Sequence, residues 1–176
     1  MTSARDRQDA WEEPIRKLFR SNSADILNYF ARRVSPLEDA ADLLGETLII
    51  ACRRPRTIPE DPERARMWFF GVARNVLRNY ERGKRRHSAL TDKLRTTLTG
   101  IPQGEGIAEV LDVRNAIASL KPDDRELVRL IYWDGFSTEQ AAEVIGITGS
   151  TARGRMQKIK DVLRNRLDVL DDVEGL

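Results

Sequence analysis

Apolar residues recur at intervals of three and four along most of this chain, the spacing that places side chains on one face of an α-helix. A clear example begins at Ser137, after which Ala141 and Val144 belong to one apolar face. Ser137 and Gln140 have the capping-box form that begins a helix. Gly146 can adopt the left-handed conformation that ends one. We therefore predict a short helix between Ser137 and Gly146.

A second helix is predicted directly afterwards, because Thr148 offers a side-chain oxygen that can cap it. Its apolar stripe comprises Ala152, Met156, Ile159, Leu163, Leu167 and Leu170. Its outer face is basic and partly small, with Arg153, Gly154, Gln157 and Lys158. Two short helices joined by a glycine turn are the parts of a helix-turn-helix, whose second helix lies in the DNA major groove. We interpret this stretch as a DNA reader, with a helical hairpin carrying a solvated charged face as the alternative.

The first third of the chain also has helical spacing. Two helices are predicted between Trp11 and Arg33, with a break near Ser21-Asn22-Ser23, and a third begins at Ser35-Pro36. The buried stripe of this third helix is predicted to comprise Leu37, Ala41, Leu44, Leu48 and Ala51.

Three carboxylates lie nearly opposite that stripe at spacings of three and four, and we call Asp39, Asp42 and Glu46 the acidic ridge. Like charges at this spacing repel one another by a few tenths of a kcal/mol per pair (about 0.2–0.5), which a basic partner would relieve. One alternative is a solvated face, since acidic residues are favoured early in a helix by its dipole. A second, a catalytic pair of carboxylates, lacks metal-binding or acid/base neighbours.

An arginine-rich loop is predicted between Arg53 and Arg66, where three prolines exclude a regular helix. The helix after it is predicted to bury Phe69, Val72, Ala73, Val76, Leu77 and Tyr80. Its opposite face carries Asn75, Arg78, Asn79, Arg82 and Arg86. Arginines for phosphates beside amides that can hydrogen-bond base edges suit single-stranded nucleic acid. Three aromatic residues could stack on bases: Trp68, Phe69 and Phe70. Aromatic residues at helical spacing more often belong to the core, and we favour a core position for Phe69.

Residues 87–106 differ in character, because Ser, Thr, Gly, Pro and Gln dominate there. We predict an all-α fold in which this segment is a flexible linker between two small helical domains, residues 1–86 and 107–176. The core of the second domain is predicted to begin with Ile107, Val110, Leu111, Val113, Ile117 and Leu120. Pro122 is predicted to start a further helix with Leu127, Val128, Ile131 and Tyr132.

Composition narrows the possible chemistry. The 176 residues carry a net charge of only +2, but acidic residues gather near the ridge and basic ones between Arg74 and Arg86, so different surfaces should meet different partners. The single cysteine, Cys52, excludes an internal disulfide and is expected to be a buried small hydrophobe. The single histidine, His87, leaves no catalytic triad and no His-rich metal set. We expect no catalysis, metal, cofactor or small-molecule substrate.

No apolar run approaches the roughly 20 residues of a membrane span. The first residues lack the apolar segment of a signal peptide. A cytoplasmic protein without membrane insertion is therefore expected.

Four stretches, taken in order, resemble the extracytoplasmic-function sigma factors of bacteria, a branch of the sigma-70 family. The first is Pro-Leu-Glu-Asp-Ala-Ala-Asp-Leu-Leu-Gly-Glu-Thr from Pro36, and the second is Trp-Phe-Phe-Gly-Val-Ala-Arg-Asn-Val-Leu from Trp68. The third is Leu-Lys-Pro-Asp-Asp-Arg-Glu-Leu from Leu120, and the helix-turn-helix between Ser137 and Lys160 is the fourth. The resemblance covers nearly the whole chain.

The resemblance implies that the first domain is sigma region two, which clamps core RNA polymerase and melts the −10 promoter element. The second would be sigma region four, which holds the −35 element as duplex, and an anti-sigma factor would be a further partner. By motif position, the polymerase-docking residues would be Asp39, Asp42, Leu43 and Glu46. Those for the −10 element would be Asn75 for an unpaired base, the loop residues Pro59, Glu60, Asp61, Arg64 and Arg66, and the basic helix face Arg78, Asn79 and Arg82. Those for the −35 element would be Arg153, Gly154, Gln157 and Lys158 in the groove, with Thr148, Thr151 and Arg155 suited to phosphates.

Three positions depart from the family pattern. Gly45 stands where a polar or larger residue is usual, and Ala152 and Gly154 stand where valine and serine are usual. Glycine inside a helix costs about 1 kcal/mol relative to alanine, and Gly154 also removes one base-reading side chain. Two alternatives to a sigma factor stay open: a helix-turn-helix regulator that binds duplex DNA without polymerase, and a nuclease or nucleotide-handling enzyme.

Overall fold

The computed structural model describes the backbone of residues 4–95 and 115–174, and the side chains of residue 13, residues 15–86 and residues 115–165. All regular structure within these residues is helical. The chain divides into two compact units, Met1–Thr97 and Leu98–Leu176. The predicted all-α fold with two helical units is confirmed. The helices that the structure describes include none that is both long enough and apolar enough to span a membrane.

The first unit consists of three helices and one short 3-10 turn. Helix α1 spans Ala4–Ala31, α2 spans Glu38–Arg53, the 3-10 turn spans Pro55–Thr57, and α3 spans Pro62–Arg95. The three α-helices all pack against one another. Their largest fully buried side chains are Ile26, Tyr29, Phe30, Phe69, Phe70 and Val76. Burial of one such side chain contributes about 1.5–3 kcal/mol, so this aromatic cluster is the main stabilising element of the unit.

Helix α1 is continuous, and the predicted break at Ser21-Asn22-Ser23 is wrong. Asn22 is buried, and its Nδ2 donates to the Leu18 carbonyl oxygen at 2.9 Å. The amide of Asn22, which lies in the predicted break, bonds to the preceding turn of the same continuous helix.

Helix α3 begins earlier and ends later than predicted. Pro62 occupies the first turn, where proline is tolerated, and the backbone N–H of Arg64 donates to Asp61 Oδ1 at 2.8 Å. The predicted loop therefore ends at Asp61 rather than at Arg66. Residues 87–95, predicted to belong to the linker, are also helical, because they contain no glycine or proline and include good helix formers. The rest of the predicted linker lies outside the described residues.

The buried stripe of α2 is shifted by one residue from the predicted one at most positions. The buried side chains of this helix are Ala40, Leu43, Thr47 and Ala51. The hydroxyl of Thr47 donates to the Leu43 carbonyl oxygen at 2.7 Å, so a polar residue is buried with its hydrogen bond satisfied. Leu37 is instead exposed, and so is Cys52, which follows buried Ala51 and is rotated about 100° from it. The expectation of a buried Cys52 is therefore wrong.

The second unit contains the predicted helix-turn-helix. Residues 115–118 are helical, and helices α4, α5 and α6 span Pro122–Tyr132, Thr138–Ile145 and Gly149–Glu174. Pro122 begins α4, as predicted. The buried apolar side chains are Ala116, Ile117, Leu120, Leu127, Val128, Leu130, Phe136, Ala141, Ala142, Val144, Ile145, Ala152, Met156 and Ile159. Among the predicted core side chains, those of Trp11, Ile107, Val110, Leu111, Val113, Leu167 and Leu170 lie outside the described residues.

The helix ends around the turn are as predicted. Ser137 Oγ accepts from the Gln140 backbone N–H at 3.2 Å, and Gln140 Oε1 accepts from the Ser137 N–H at 2.8 Å. Gly146 has φ of +82°, in the left-handed region, and its N–H donates to the Ala142 carbonyl oxygen at 2.8 Å. The Thr148 hydroxyl accepts from the Thr151 N–H at 3.2 Å and caps α6. Two of these hydrogen bonds fix the start of α5, and the other two fix the turn between α5 and α6.

Candidate nucleic-acid interface

The outer face of α6 is exposed along the length of the predicted recognition surface. Arg153, Gly154, Gln157 and Lys158 are all exposed, whereas Ala152, Met156 and Ile159 are buried against α4 and α5. This separation follows from the helical period, because residues of the two sets lie on opposite sides of the same helix. The face offers two cations and one amide, which can bond to phosphates and to base edges.

Arg153 is held by a residue of the preceding helix. Its Nη1 donates to Glu139 Oε1 at 2.6 Å, and each side chain is 61% exposed. The pKa of the Glu139 carboxyl lies below its ordinary value, because the carboxylate accepts from its own backbone N–H and then from Arg153. An ion pair this exposed is screened by solvent and adds little to stability. The sequence pattern did not reveal it, since the partners are 14 residues apart.

The three residues assigned to phosphates differ in how they are bound. Thr148 and Thr151 are exposed at the first turn of α6, with their hydroxyl oxygens 2.8 Å apart. Arg155 is half-buried, and its Nη1 lies 3.7 Å from Asp124 Oδ1 in α4. Backbone N–H groups and hydroxyls at a helix N-terminus favour anionic ligands. The threonines are thus exposed at the anion-favouring end of the helix, whereas Arg155 also links α6 to α4.

A second polar face lies on α3 in the first unit. Asn75, Arg78, Asn79 and Arg82 are all exposed, and Phe69, Ala73, Val76 and Leu77 are buried on the other side. Arg82 Nη2 donates to Asn79 Oδ1 at 3.0 Å, so an arginine and an amide form one hydrogen-bonded group. The exposed amide of Asn75 lies one turn earlier on the same face. This combination can bind a backbone phosphate and a base edge side by side.

One arginine of α3 does not belong to this face. Arg74 is only 7% exposed, so it adds no charge to the basic surface on which the sequence had placed it. Its position explains the difference, because Arg74 follows Phe70 by four residues and precedes Leu77 by three, on the buried side of the helix. The sequence contained a signal for this difference. Arg74 lies at helical spacing from buried Phe70, which predicts a buried side chain, whereas Arg78 lies on the exposed face.

The segment Pro59–Arg66 is more ordered than a simple basic loop. Pro59 is half-buried and Glu60 is exposed, while the Asp61 carboxylate caps α3. Arg64 is exposed on the first turn of α3. Arg66 Nη2 lies 3.3 Å from Asp25 Oδ2 in α1, and its guanidinium lies 4.9 Å from the centre of the Phe70 ring. These contacts fix the entry to α3 against α1.

The acidic ridge has one member that is bound within the unit. The Tyr80 hydroxyl of α3 donates to Asp39 Oδ2, and Lys84 Nζ lies 3.1 Å from the same hydroxyl. Asp42 and Glu46 are exposed, whereas Leu43 is 5% exposed and packs inward. The ridge therefore presents two carboxylates to solvent and uses the third to join α2 to α3. Among the side chains that the structure describes, those of residue 13, residues 15–86 and residues 115–165, no three Asp, Glu, His or Cys residues form a group that could hold a metal ion.

Comparisons with known proteins match each of the two units to a family model. Residues 18–87 match the family model described as Sigma-70 region 2, and residues 107–163 match Sigma-70, region 4. The chain is 30% identical over 159 residues to the ECF RNA polymerase sigma factor SigL of Mycobacterium tuberculosis (strain ATCC 25618 / H37Rv), covering 89% of this chain and 90% of that relative.

Two solved structures share the fold. One is the sigma factor RpoE in complex with the anti-sigma factor NepR from Bartonella quintana, with a TM-score of 0.52 at 23% identity, covering 94% of this chain and 99% of that chain. The other is CnrH in complex with the cytosolic domain of CnrY, with a TM-score of 0.55 at 22% identity, covering 92% of this chain and 90% of that chain.

Proposed function

Because this chain belongs to the extracytoplasmic-function sigma factors of the sigma-70 family, we propose that it binds core RNA polymerase and directs initiation to promoters with −10 and −35 elements. The observation that carries the proposal is the presence of two exposed polar helix faces, one in each family-matched unit. The proposed activity is recognition and delivery rather than catalysis. We assign residues 1–86 and the end of α3, residues 87–95, to region two, and residues 107–176 to region four. The linker then starts after Arg95, because α3 extends that far.

Polymerase docking is assigned to the exposed part of the acidic ridge. Asp42 and Glu46 point into solvent and are available to a basic surface of the polymerase. Asp39 accepts a hydrogen bond from Tyr80, so it holds α2 against α3 and fixes the helix that carries Asp42 and Glu46. The motif position of Leu43 implied a direct contact with polymerase. Because Leu43 is buried, we do not include it among the contacting residues.

The −10 element is assigned to α3 and the segment before it. Asn75 contacts an unpaired base, while Arg78, Asn79 and Arg82 bind the strand through phosphates and base edges. Pro59, Glu60, Asp61, Arg64 and Arg66 form the wall of a pocket for a flipped base. Unstacking a base costs a few kcal/mol (about 2–3), which contacts made only with the open strand offset. Binding energy of this kind shifts the promoter toward its melted state.

The −35 element is assigned to α6. Arg153, Gln157 and Lys158 read base edges from the exposed face, and Thr148, Thr151 and Arg155 bind phosphates. Each good bidentate contact to a base contributes about 1–3 kcal/mol of discrimination. Gly154 offers only its backbone, so this helix reads fewer base edges than its length permits.

An anti-sigma factor is proposed as a further partner. Two structures that share this fold, RpoE and CnrH, were solved with NepR and with the cytosolic domain of CnrY respectively, the former named an anti-sigma factor. In the present chain the exposed ridge and the α6 face are the surfaces that such a partner would have to cover. A cytoplasmic location follows from the proposed contact with polymerase.

Mixing the full chain with core RNA polymerase tests the proposal. We expect the two to co-elute and to start transcripts at discrete promoters on genomic DNA. Charge reversal at Asp42 and Glu46 should abolish co-elution, whereas Glu81→Lys, an exposed reversal on α3, should leave core binding intact. Co-elution with random start sites would contradict the proposal. Specific duplex binding that never requires polymerase would favour the helix-turn-helix regulator instead.

A further inference from the structure

Glu139, Gly149 and Arg153 form one cluster at the beginning of α6. Arg153 Nη1 and Glu139 Oε1 are 2.6 Å apart, although the residues belong to different helices. A Cβ atom on Gly149 would lie 3.5 Å from Arg153 Nη1 and 3.6 Å from Glu139 Cγ. The guanidinium therefore lies back over the first residue of its own helix. A Cβ atom there would meet both side chains at ordinary van der Waals distance.

This position is the one that a groove-binding helix uses for reading bases. The N-terminal residues of a recognition helix contact base edges, and a helical side chain leans toward the N-terminus of its helix. An exposed arginine has many rotamers of similar energy, so an unsupported guanidinium would sample several base positions. The Glu139 carboxylate selects one of them. Because it uses Nη1, the other guanidinium nitrogens still carry donors for a base.

The charge of Glu139 is unfavourable for DNA binding in general. A carboxylate on a groove-facing surface repels phosphates and lowers affinity for any sequence. Its contribution to folding is small, since both side chains are largely exposed. Glu139 therefore weakens non-specific DNA binding and adds little to the stability of the fold. A role in discrimination between bases would account for a carboxylate at this position.

We propose that Glu139 is a positioning residue that fixes the Arg153 guanidinium for bidentate recognition of one guanine in the −35 duplex. The proposal rests on the function assigned to α6 above. Guanine is the base that arginine recognises most often, through its O6 and N7 acceptors, and planar bidentate recognition depends on guanidinium orientation. Glu139 itself contacts no base in this arrangement.

The test uses full-chain protein bound to core polymerase and a promoter library randomised in its upstream duplex element. The wild type should enrich a guanine at one position, and Arg153→Ala should lose that preference. Glu139→Ala should reduce discrimination at that position by at least about fivefold, with other positions unchanged. Glu139→Gln, which keeps an acceptor oxygen, should retain most of it. Both Glu139 variants should bind unrelated duplex at least as tightly as the wild type.

Two further variants separate positioning from other effects. Glu143→Ala removes an exposed carboxylate one turn later on α5 and should change no base preference. The double variant Glu139→Ala with Arg153→Ala should match Arg153→Ala alone. Unchanged preference in Glu139→Ala, or a double variant that discriminates less than Arg153→Ala, would overturn the proposal while leaving the assigned function intact. A wild-type protein that enriches no sequence would instead refute that function and the proposal together.

Discussion

The two units stabilise their exposed polar helices in different ways. The first packs Tyr29 against Phe30 and Phe70, with ring centres 5.3 and 5.5 Å apart and edge-to-face geometry. The helix-turn-helix has three alanines, Ala141, Ala142 and Ala152, buried in α5 and α6. Large rings fill the space between the helices of the first unit, whereas small side chains let α5 and α6 approach closely and leave their placement to caps and turns.

The difference also affects the charged residues at each surface. In the first unit, Asp39 bonds to Tyr80 and Arg66 pairs with Asp25, each on a different helix. The positions of these charged side chains therefore depend on how the helices pack. In the second, the start of α5 and the turn between α5 and α6 are fixed by bonds between residues three or four positions apart. We therefore expect the first unit to be sensitive to loss of core volume. The second should be sensitive to added volume and to changes in the turn.

Removing a buried ring from the first unit should have the largest effect on stability. Phe70→Ala is expected to lower the free energy of unfolding of this unit by about 3–5 kcal/mol, through lost burial and the cavity left behind. Leu27→Ala, on the exposed side of α1, should cost under about 1 kcal/mol. Hydrogen exchange on peptides from each unit would measure both. Equal effects of the two variants would contradict an aromatic core.

Adding volume between α5 and α6 should destabilise the second unit. Ala152→Leu is expected to cost about 1–3 kcal/mol, because a fully buried alanine leaves no room for three more carbon atoms. Lys160→Leu, at an exposed position of the same helix, should be close to neutral. Thermal unfolding of the two variants provides the comparison. A tolerated Ala152→Leu would show that the helices are not closely packed.

Removing the hydroxyl that binds Asp39 should have a moderate effect. Tyr80→Phe leaves a half-buried carboxylate without this donor, which is expected to cost about 1–2 kcal/mol in the first unit. The same substitution at exposed Tyr132 should have no measurable effect. Denaturant titration of both variants gives the difference. If Tyr80→Phe also proves neutral, Asp39 is not a link between α2 and α3.

Two glycines of the second unit should respond to alanine in opposite directions. Gly146→Ala forces a side chain into φ of +82° and is expected to cost about 1–2 kcal/mol. Gly154→Ala lies in the exposed middle of α6 and should stabilise by about 1 kcal/mol. The melting temperatures should therefore move apart. A shift of the same sign in both would mean that turn conformation does not limit the stability of this unit.

Local interactions were predictable from the sequence because their partners lie within a few residues of each other. The cap at Ser137, the left-handed Gly146, the Thr148 cap and the exposed face of α6 all depend on spacings of two to four positions. The assignment of two family regions rested on short motifs in order along the chain. The binding roles of the individual site residues stay predictions.

Tertiary contacts decided what the spacing left ambiguous. In α2, the spacing predicted a buried stripe through Ala41, Leu44 and Leu48. Packing against α1 and α3 instead buried Leu43 and Thr47 and left Cys52 exposed. The Asp39–Tyr80 and Glu139–Arg153 contacts join residues 41 and 14 positions apart. A periodic pattern specifies the direction of each side chain around its own helix. Which neighbour it meets depends on how the helices pack.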